Sequence, residues 1–182
     1  GIAMDKLMKL TEYFKEEGFE DRTITSIMNN FKIKTFKKGE CILEIKEHTQ
    51  YVYFTIEGIA RAVRVLENNT EYTTDFYYEG RWCCIYNFLK GYSANIYIEA
   101  IEDTVMACIS NKDLKKIIIN EPECNAFFLK QYSQISDNIM VMIDEFKHFT
   151  VNQKRDRFIK LYAPIQNRLE KKYIVSYIGS DN

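Results

Sequence analysis

Residues 121–150 read EPECNAFFLKQYSQISDNIMVMIDEFKHFT. Within this stretch Phe128, Tyr132, Ile135, Ile139, Met142, Phe146 and Phe149 follow one another at spacings of 4, 3, 4, 3, 4 and 3 residues. That is an unbroken apolar heptad seam. No Gly or Pro interrupts it after Pro122. Asn120 is expected as N-cap, with Pro122 in the first turn and Glu123 reaching back. The predicted helix is about 43 Å long at 1.5 Å per residue. Its opposite face carries Lys130, Gln131, Ser133, Asp137, Asp144 and Lys147. Two uses fit such a helix: pairing with its own copy, or lying across the core of its own domain. The stripe is narrow and persists for three heptads, which favours a homodimer.

Upstream of this helix the period changes. Leu7, Leu10 and Phe14 lie at helical spacing and Gly18 stops the turn; Ile24, Ile27 and Met28 share one face of a second short helix. Gly1–Ile2–Ala3 precede Met4 and resemble a cloning remnant, so the folded part is expected from Asp5. From Phe31 to Ile109 short runs rich in β-branched and aromatic residues alternate with turns at Lys38-Gly39-Glu40, Glu57-Gly58, Asn68-Asn69, Glu79-Gly80 and Glu102-Asp103. Strands of this length without intervening helices predict an antiparallel sandwich or barrel. Ser110-Asn111-Lys112-Asp113 fits a capping box that opens a short helix through Leu114, Ile117 and Ile118. Downstream, Thr150-Val151-Asn152-Gln153 is another such box; its helix carries Phe158, Leu161 and Tyr162 and ends before Pro164. Lys171 to Ile178 reads as a last helix, stopped by Gly179. The expected organisation is a sensor unit over 5–120, a dimerisation helix over 121–149 and a helical module over 150–182.

Charge separates the last module from the rest. Between Lys147 and Lys172 eight Lys or Arg face only Asp156 and Glu170, a net +6, while the residues before them sum to −6. A basic module on an acidic body is one pattern of nucleic-acid contact, and equally of a solvated helix face. The apolar share of 46% supports a packed core and argues against wholesale disorder. The five cysteines, Cys41, Cys83, Cys84, Cys108 and Cys124, include no C-x-x-C pair. No apolar run approaches 18 residues and no leader pattern opens the chain, so a cytoplasmic protein with reduced thiols and no membrane partner is expected.

Several motifs in order resemble the Crp/Fnr family of bacterial transcription regulators. They are Lys38-Gly39-Glu40; Tyr53-Phe54-Thr55-Ile56-Glu57-Gly58 followed by Arg61; and Tyr97-Ile98-Glu99-Ala100-Ile101-Glu102-Asp103. Later come Arg155-Asp156-Arg157-Phe158 with Leu161, and Tyr173-Ile174-Val175-Ser176-Tyr177-Ile178-Gly179. The resemblance runs from about Phe31 onward. It implies a mainly β fold with α: a double-stranded β-helix, or jelly roll, of the cyclic-nucleotide-binding-domain kind, flanked by short helices. A coiled-coil dimerisation helix and the start of a winged helix-turn-helix would follow. The last motif is similar to the first helix and turn of that helix-turn-helix, with Lys171, Lys172, Tyr173 and Ser176 as its partial DNA-contacting set. On this resemblance the recognition helix and wing fall outside the 182 residues, so these residues alone are not expected to read DNA sequence.

The ligand cassette departs from the family pattern. Members that bind cyclic nucleotides carry Gly-Glu-Leu after the strand turn and Arg-Ser-Ala before the next strand. The Glu accepts from the ribose hydroxyl and the Arg pairs with the phosphate. Here Gly80 is followed by Arg81-Trp82-Cys83-Cys84-Ile85-Tyr86, and Ser93-Ala94-Asn95 stand before the next strand. The acidic position falls on or beside Ile85 and the Arg position on Ala94 or Asn95. An apolar or aromatic effector therefore fits better than an anion, with Trp82 and Tyr86 near one wall of the pocket and Gln134 or Asn138 of the long helix near the other. Arg81 sits beside the turn and is expected to point to water.

Two other chemistries fit these residues less well. A cupin enzyme needs two or three His on a metal, and His48 and His148 stand a hundred residues apart. Cys83 and Cys84, if both on a strand, point to opposite faces, which disfavours a redox pair. The expectation is a non-enzymatic DNA-binding regulator with no cofactor and no metal. Its rival is a regulatory or scaffolding module of the same barrel type that never touches DNA.

Overall fold

The computed structural model describes residues 1–91 and 95–179. The chain opens with α1 (Ile2–Glu16) and α2 (Asp21–Met28). Helix α1 thus begins ahead of Met4, in the residues set aside above. Strands β1 (Lys32–Phe36), β2 (Cys41–Leu43), β3 (Tyr51–Glu57), β4 (Ala60–Val65), β5 (Glu71–Tyr77) and β6 (Trp82–Cys83) follow. A short helix α3 (Ile85–Lys90) interrupts them before β7 (Ile96–Ala100) and β8 (Thr104–Ser110). Then come α4 (Asn111–Asn120), α5 (Pro122–His148), α6 (Val151–Tyr162), a 3-10 helix (Ala163–Arg168) and α7 (Lys171–Ile178). Among the described residues no helix is long and apolar enough to cross a membrane.

The strands form two four-stranded antiparallel sheets, ordered β1-β8-β3-β6 and β2-β7-β4-β5. This is the expected jelly-roll arrangement. The pleat sends alternate side chains to opposite faces, and here both faces of the first sheet are buried. From β3 and β8, Val52, Phe54, Ile56, Ala107 and Ile109 face a helical layer that includes Leu10, Phe14, Ile27, Leu114 and Phe127. Tyr53, Met106 and Cys108 face inward, against Ala60, Ala62, Ile98 and Ala100 of the second sheet. That dual burial is why β3 reads as a near-continuous apolar run.

The helix signals acted as expected at two places and differently at a third. The Ser110 side chain accepts from the Asp113 N–H, and Thr150 and Gln153 form a complete capping box. Helix α5, about 40 Å long, starts one residue later than the sequence suggested: Glu121, not Asn120, is the N-cap, without a side-chain bond. Glu123 does not reach back along its own helix. Its carboxylate accepts from the Thr23 hydroxyl and the Glu20 N–H at the start of α2, where a negative charge meets the positive end of that helix.

The turn between the two sheets depends on Gly58, whose φ is +98°. A Cβ there would lie 2.5 Å from Thr104 Oγ1 and 2.6 Å from the Asp103 carbonyl oxygen, with the Thr104 Cα at 2.7 Å. Two of those three atoms are backbone, so neither a rotamer change nor a small shift relieves the clash. Gly58→Ala combines left-handed strain with overpacking and is expected to destabilise the fold by about 2–4 kcal/mol. Chemical denaturation should show a fall in the midpoint with unchanged steepness; a wild-type midpoint would overturn this account of the turn.

Candidate functional site

The segment Tyr78–Cys84 lies where three parts of the molecule meet. The turn Tyr78-Glu79-Gly80 ends β5, and β6 is only two residues long, pairing Trp82 with Phe54 and Cys83 with Tyr53. Gly80 takes the turn at φ +88°. Arg81, Trp82 and Cys83 then go three different ways.

Arg81 does not point to water. It is half-buried, its Nη2 donates to the Tyr78 hydroxyl (2.9 Å) and the Leu161 carbonyl (3.5 Å), and its guanidinium lies 4.6 Å from the centre of the Tyr78 ring. Stacked and bonded there, it is not free to meet a phosphate in the barrel. Trp82 is the hub of the aromatic layer between barrel and helices. Its ring lies 5.1 Å from Phe54, 5.7 Å from Phe128 and about 6 Å from Tyr13, Phe14 and Phe127. Its Nε1 donates to the Tyr13 hydroxyl at 3.2 Å. Burial pushes Tyr13 up to about 12, so the phenol remains a neutral acceptor and donor.

Cys83 and Cys84 do not alternate across a strand. Cys84 leaves β6 with φ +76° and caps α3, so both side chains are buried and their Sγ atoms lie 3.6 Å apart. Burial, with the neighbouring thiol adding to it, holds Cys83 well above the usual thiol range. A thiol so held is protonated at neutral pH and a poor nucleophile. Cys83 joins Tyr53, Met106 and Cys108 in filling the space between the sheets.

The remaining cassette positions fall as follows. Ile85 opens α3 and is buried in the helical-layer core. Tyr86 is 38% exposed on α3 and so stands outside that core. Ser93 and Ala94 lie outside the described residues. Asn95 is half-buried at the start of β7, its carbonyl accepting from the Val65 N–H at 2.8 Å. Gln134 and Asn138 are exposed on α5. Trp82 thus packs on the helical-layer core, while Tyr86 stands at its outside. Two clefts open: one of about 130 Å³ near His48 and Tyr51, bordered by Ile42, Leu43 and Tyr53 of the core between the sheets, and one of about 430 Å³ between the second sheet and α7, lined by Arg61, Glu71, Glu99, Lys172, Tyr173 and Ser176. Among the described residues no three His, Cys, Asp or Glu come together to hold a metal.

Along α5 the seam residues divide. Phe128 is buried in the aromatic layer beside Phe127, a residue outside the heptad pattern, and Ile135 packs partly against the same layer. Tyr132, Ile139, Met142 and Phe146 are 45, 40, 37 and 84% exposed, and Phe149 is half-buried. Leu129, Met140 and Ile143 widen the exposed apolar surface beyond the heptad. In the last helix Lys171 and Lys172 are exposed and Tyr173 is buried. Ser176 accepts from the Thr73 N–H at 2.9 Å and bonds the Thr73 hydroxyl. The sequence held no sign of this contact with the barrel.

Residues 33–121 match the model of the cyclic nucleotide-binding domain family. No curated protein matches the sequence. Solved structures similar to the chain include FixK2 from Bradyrhizobium japonicum, 18% identical, covering 81% of this chain and 76% of that one at a TM-score of 0.67. The c-di-GMP-responsive global regulator CLP of Xanthomonas campestris is 10% identical, with coverages of 89% and 86% and a TM-score of 0.70. The catabolite activator protein of Thermus thermophilus is 15% identical, with coverages of 90% and 78% and a TM-score of 0.58. At these identities the likeness is one of fold, and it extends past the barrel into the helices that follow. Two sheets in jelly-roll order and the family match over residues 33–121 converge: this part of the chain is similar to a cyclic nucleotide-binding domain, and the chain's fold is like that of the solved regulators FixK2, CLP and the catabolite activator protein.

Proposed function

We propose that this chain is the sensor and dimerisation part of a cytoplasmic, non-catalytic transcription regulator of the Crp/Fnr type. It acts as a homodimer, contacts DNA through its C-terminal module and answers to a small effector other than a cyclic nucleotide. The observation that carries this reading is the unpartnered apolar stripe of α5 beyond residue 131. Phe146 at 84% exposure and Tyr132 at 45% are large side chains left in water, and their heptad spacing suits an identical helix. The occupant of that stripe is a second copy of α5, related by a two-fold axis.

Replacing Ile139 and Phe146 with Asp tests the dimer without touching residues that pack on the chain's own barrel. Four carboxylates in the paired seam would cost several kcal/mol of desolvation. Light scattering should report a monomer with unchanged circular dichroism. A double variant that stays dimeric places the interface elsewhere.

Cyclic nucleotides are poor candidates for the effector. The position beside the ribose holds buried Ile85, Arg81 is engaged with Tyr78 and Leu161, and Ala94 or Asn95 offers no cation. A buried cyclic phosphate would lose its hydration without a counter-charge. Neither cyclic AMP nor cyclic GMP near ~1 mM should raise the melting temperature, whereas a dissociation constant of ~10 μM would add about 2.7 kcal/mol at that excess. A shift abolished by Arg81→Ala would reverse this conclusion.

The DNA-binding part is tested on the complete gene product. Selection from random duplexes should enrich a two-fold symmetric site whose half-sites are about one helical turn apart or a multiple of it. A dimer that enriches no sequence supports the rival module that never touches DNA.

A further inference from the structure

Two of the five cysteines stand side by side in the core between the sheets. Cys83 ends β6, packed with Tyr53, Met106 and Cys108. On a continued strand the next side chain would cross to the other face. Cys84 instead takes φ +76° and stays in the same core, and the two Sγ atoms lie 3.6 Å apart. Both residues are buried, at 0 and 3% exposure. Left-handed backbone is adopted readily by Gly, less so by Asn or Asp, and seldom by other residues. A cysteine there goes against the local preference, and the turn it makes brings two thiols into contact. Departures of this kind concentrate at binding and catalytic sites.

What the pair can hold follows from its spacing and number. A disulfide normally joins Cα atoms about 4.4–6.8 Å apart. Neighbours across a trans peptide are held at about 3.8 Å, so direct closure is strained. Zinc takes four ligands, and among the described residues no group of three His, Cys, Asp or Glu comes together. Cys83 and Cys108 both pair with Tyr53, from opposite sides of β3, roughly 10 Å apart by strand spacing, so Cys108 adds no third sulfur. One soft centre bonded to both sulfurs at about 2.3 Å would span the observed gap at an angle of about 100°. That suits a pyramidal centre; a linear one would need its sulfurs about 4.6 Å apart. The site also lacks a counter-charge. Burial holds the Cys83 thiol neutral, and the Asp75 carboxyl acts in the same direction. The occupant must therefore leave an uncharged adduct. A pyramidal, thiophilic centre that needs two sulfurs and ends neutral is trivalent arsenic carrying one organic substituent.

We propose that Cys83 and Cys84 form a dithiol site for a trivalent mono-organoarsenical, of which methylarsonous acid is the smallest. The site does not rest on the function proposed above. Two S–H and two As–O bonds break, two As–S bonds form, and the thiol protons leave with the hydroxyls as two waters. Arsenic stays trivalent and neither sulfur is oxidised. Entry is from the cleft beside His48, which borders Ile42, Leu43 and Tyr53 of the same core; Tyr53 is the cross-strand partner of Cys83. Strand β6 has two residues and α3 has six, so this stretch opens at lower free energy than β3 or β8.

The test uses the reduced 182-residue chain, methylarsonous acid and intact-mass spectrometry. Each folded chain should gain one methylarsenic group in place of two hydrogens. Peptide mapping should find it on the segment holding Cys83 and Cys84, with Cys41, Cys108 and Cys124 still open to alkylation after unfolding. Excess monothiol should leave the adduct in place and a small dithiol should remove it. Half-saturation should need about a hundredfold more reagent in Cys83→Ala or Cys84→Ala, since a lone thiol loses the effective concentration of the second. A buried Cys packs as a small apolar residue, so Ala is the mild replacement. Should either variant fail to fold, the mapping on the unaltered chain decides. No adduct on the folded chain, an adduct spread over the isolated cysteines, or one formed only in denaturant overturns the site and leaves the pair as core packing.

Discussion

The direction of the long helix rests on the aromatic packing around Trp82. Its indole touches rings from α1, β3 and α5 at once, and its N–H is bonded to Tyr13. Edge and tilted ring contacts of this kind contribute about 0.5–1.5 kcal/mol each beyond area burial. More important than their sum is their geometry: one side chain ties the helical layer, the first sheet and the root of α5 into a single arrangement. Glu121 and Glu123 reinforce it from outside by bonding Ser26, Thr23 and the Glu20 N–H. With its first two turns so anchored, α5 leaves the barrel on a defined line and carries its exposed apolar stripe away from the core. The dimer proposed for that stripe therefore inherits its geometry from a contact inside the monomer.

The periodic parts of this fold were legible in the sequence. Alternation placed the strands, heptad spacing placed α5, and the two capping boxes opened α4 and α6. What escaped had no local signature. Ile85–Lys90 is too short and too aromatic to announce a helix, and nothing local marks Cys84 as left-handed. A strand reading therefore split the two thiols that the structure brings together. The heptad count took Phe128 as a seam residue, yet it is spent on the monomer's own core, as is its neighbour Phe127, which the pattern omits. Periodicity describes a face; it does not say what covers that face.

The cassette illustrates a second kind of limit. That no carboxylate stands at or beside Ile85 was readable, because it is a matter of residue type. The destination of Arg81 was not, since it depends on a tyrosine three residues back and a carbonyl eighty residues on. The charge pattern behaves likewise. A +6 segment suggested a field for nucleic acid, but Arg157 is bonded to Glu145 and Arg168 to Glu79 and Glu102. Part of the basic surplus is thus neutralised by the acidic body it was contrasted with, and Glu79 is held below the usual carboxylate range, with Arg168 pulling it down against partial burial.

That neutralisation bears on how the molecule is held together. Exposed ion pairs contribute roughly 0–1 kcal/mol and weaken with salt, so Arg168 alone does not fix the C-terminal helices. Their position needs the apolar cluster around Phe76 and Phe158 as well, and the cluster brings the Asp75 carboxyl against it. Burial raises the pKa of Asp75, with the Tyr162 hydrogen bond, Arg81 and the Phe76 N–H acting the other way. A carboxyl pushed upward is most easily enclosed when protonated, so its contribution to docking is fullest at acid pH and declines as pH rises through the raised value. An apolar residue at position 75 would close this contact without that cost. The polar choice leaves α6 and α7 held on the barrel by a net difference between apolar burial and carboxyl desolvation.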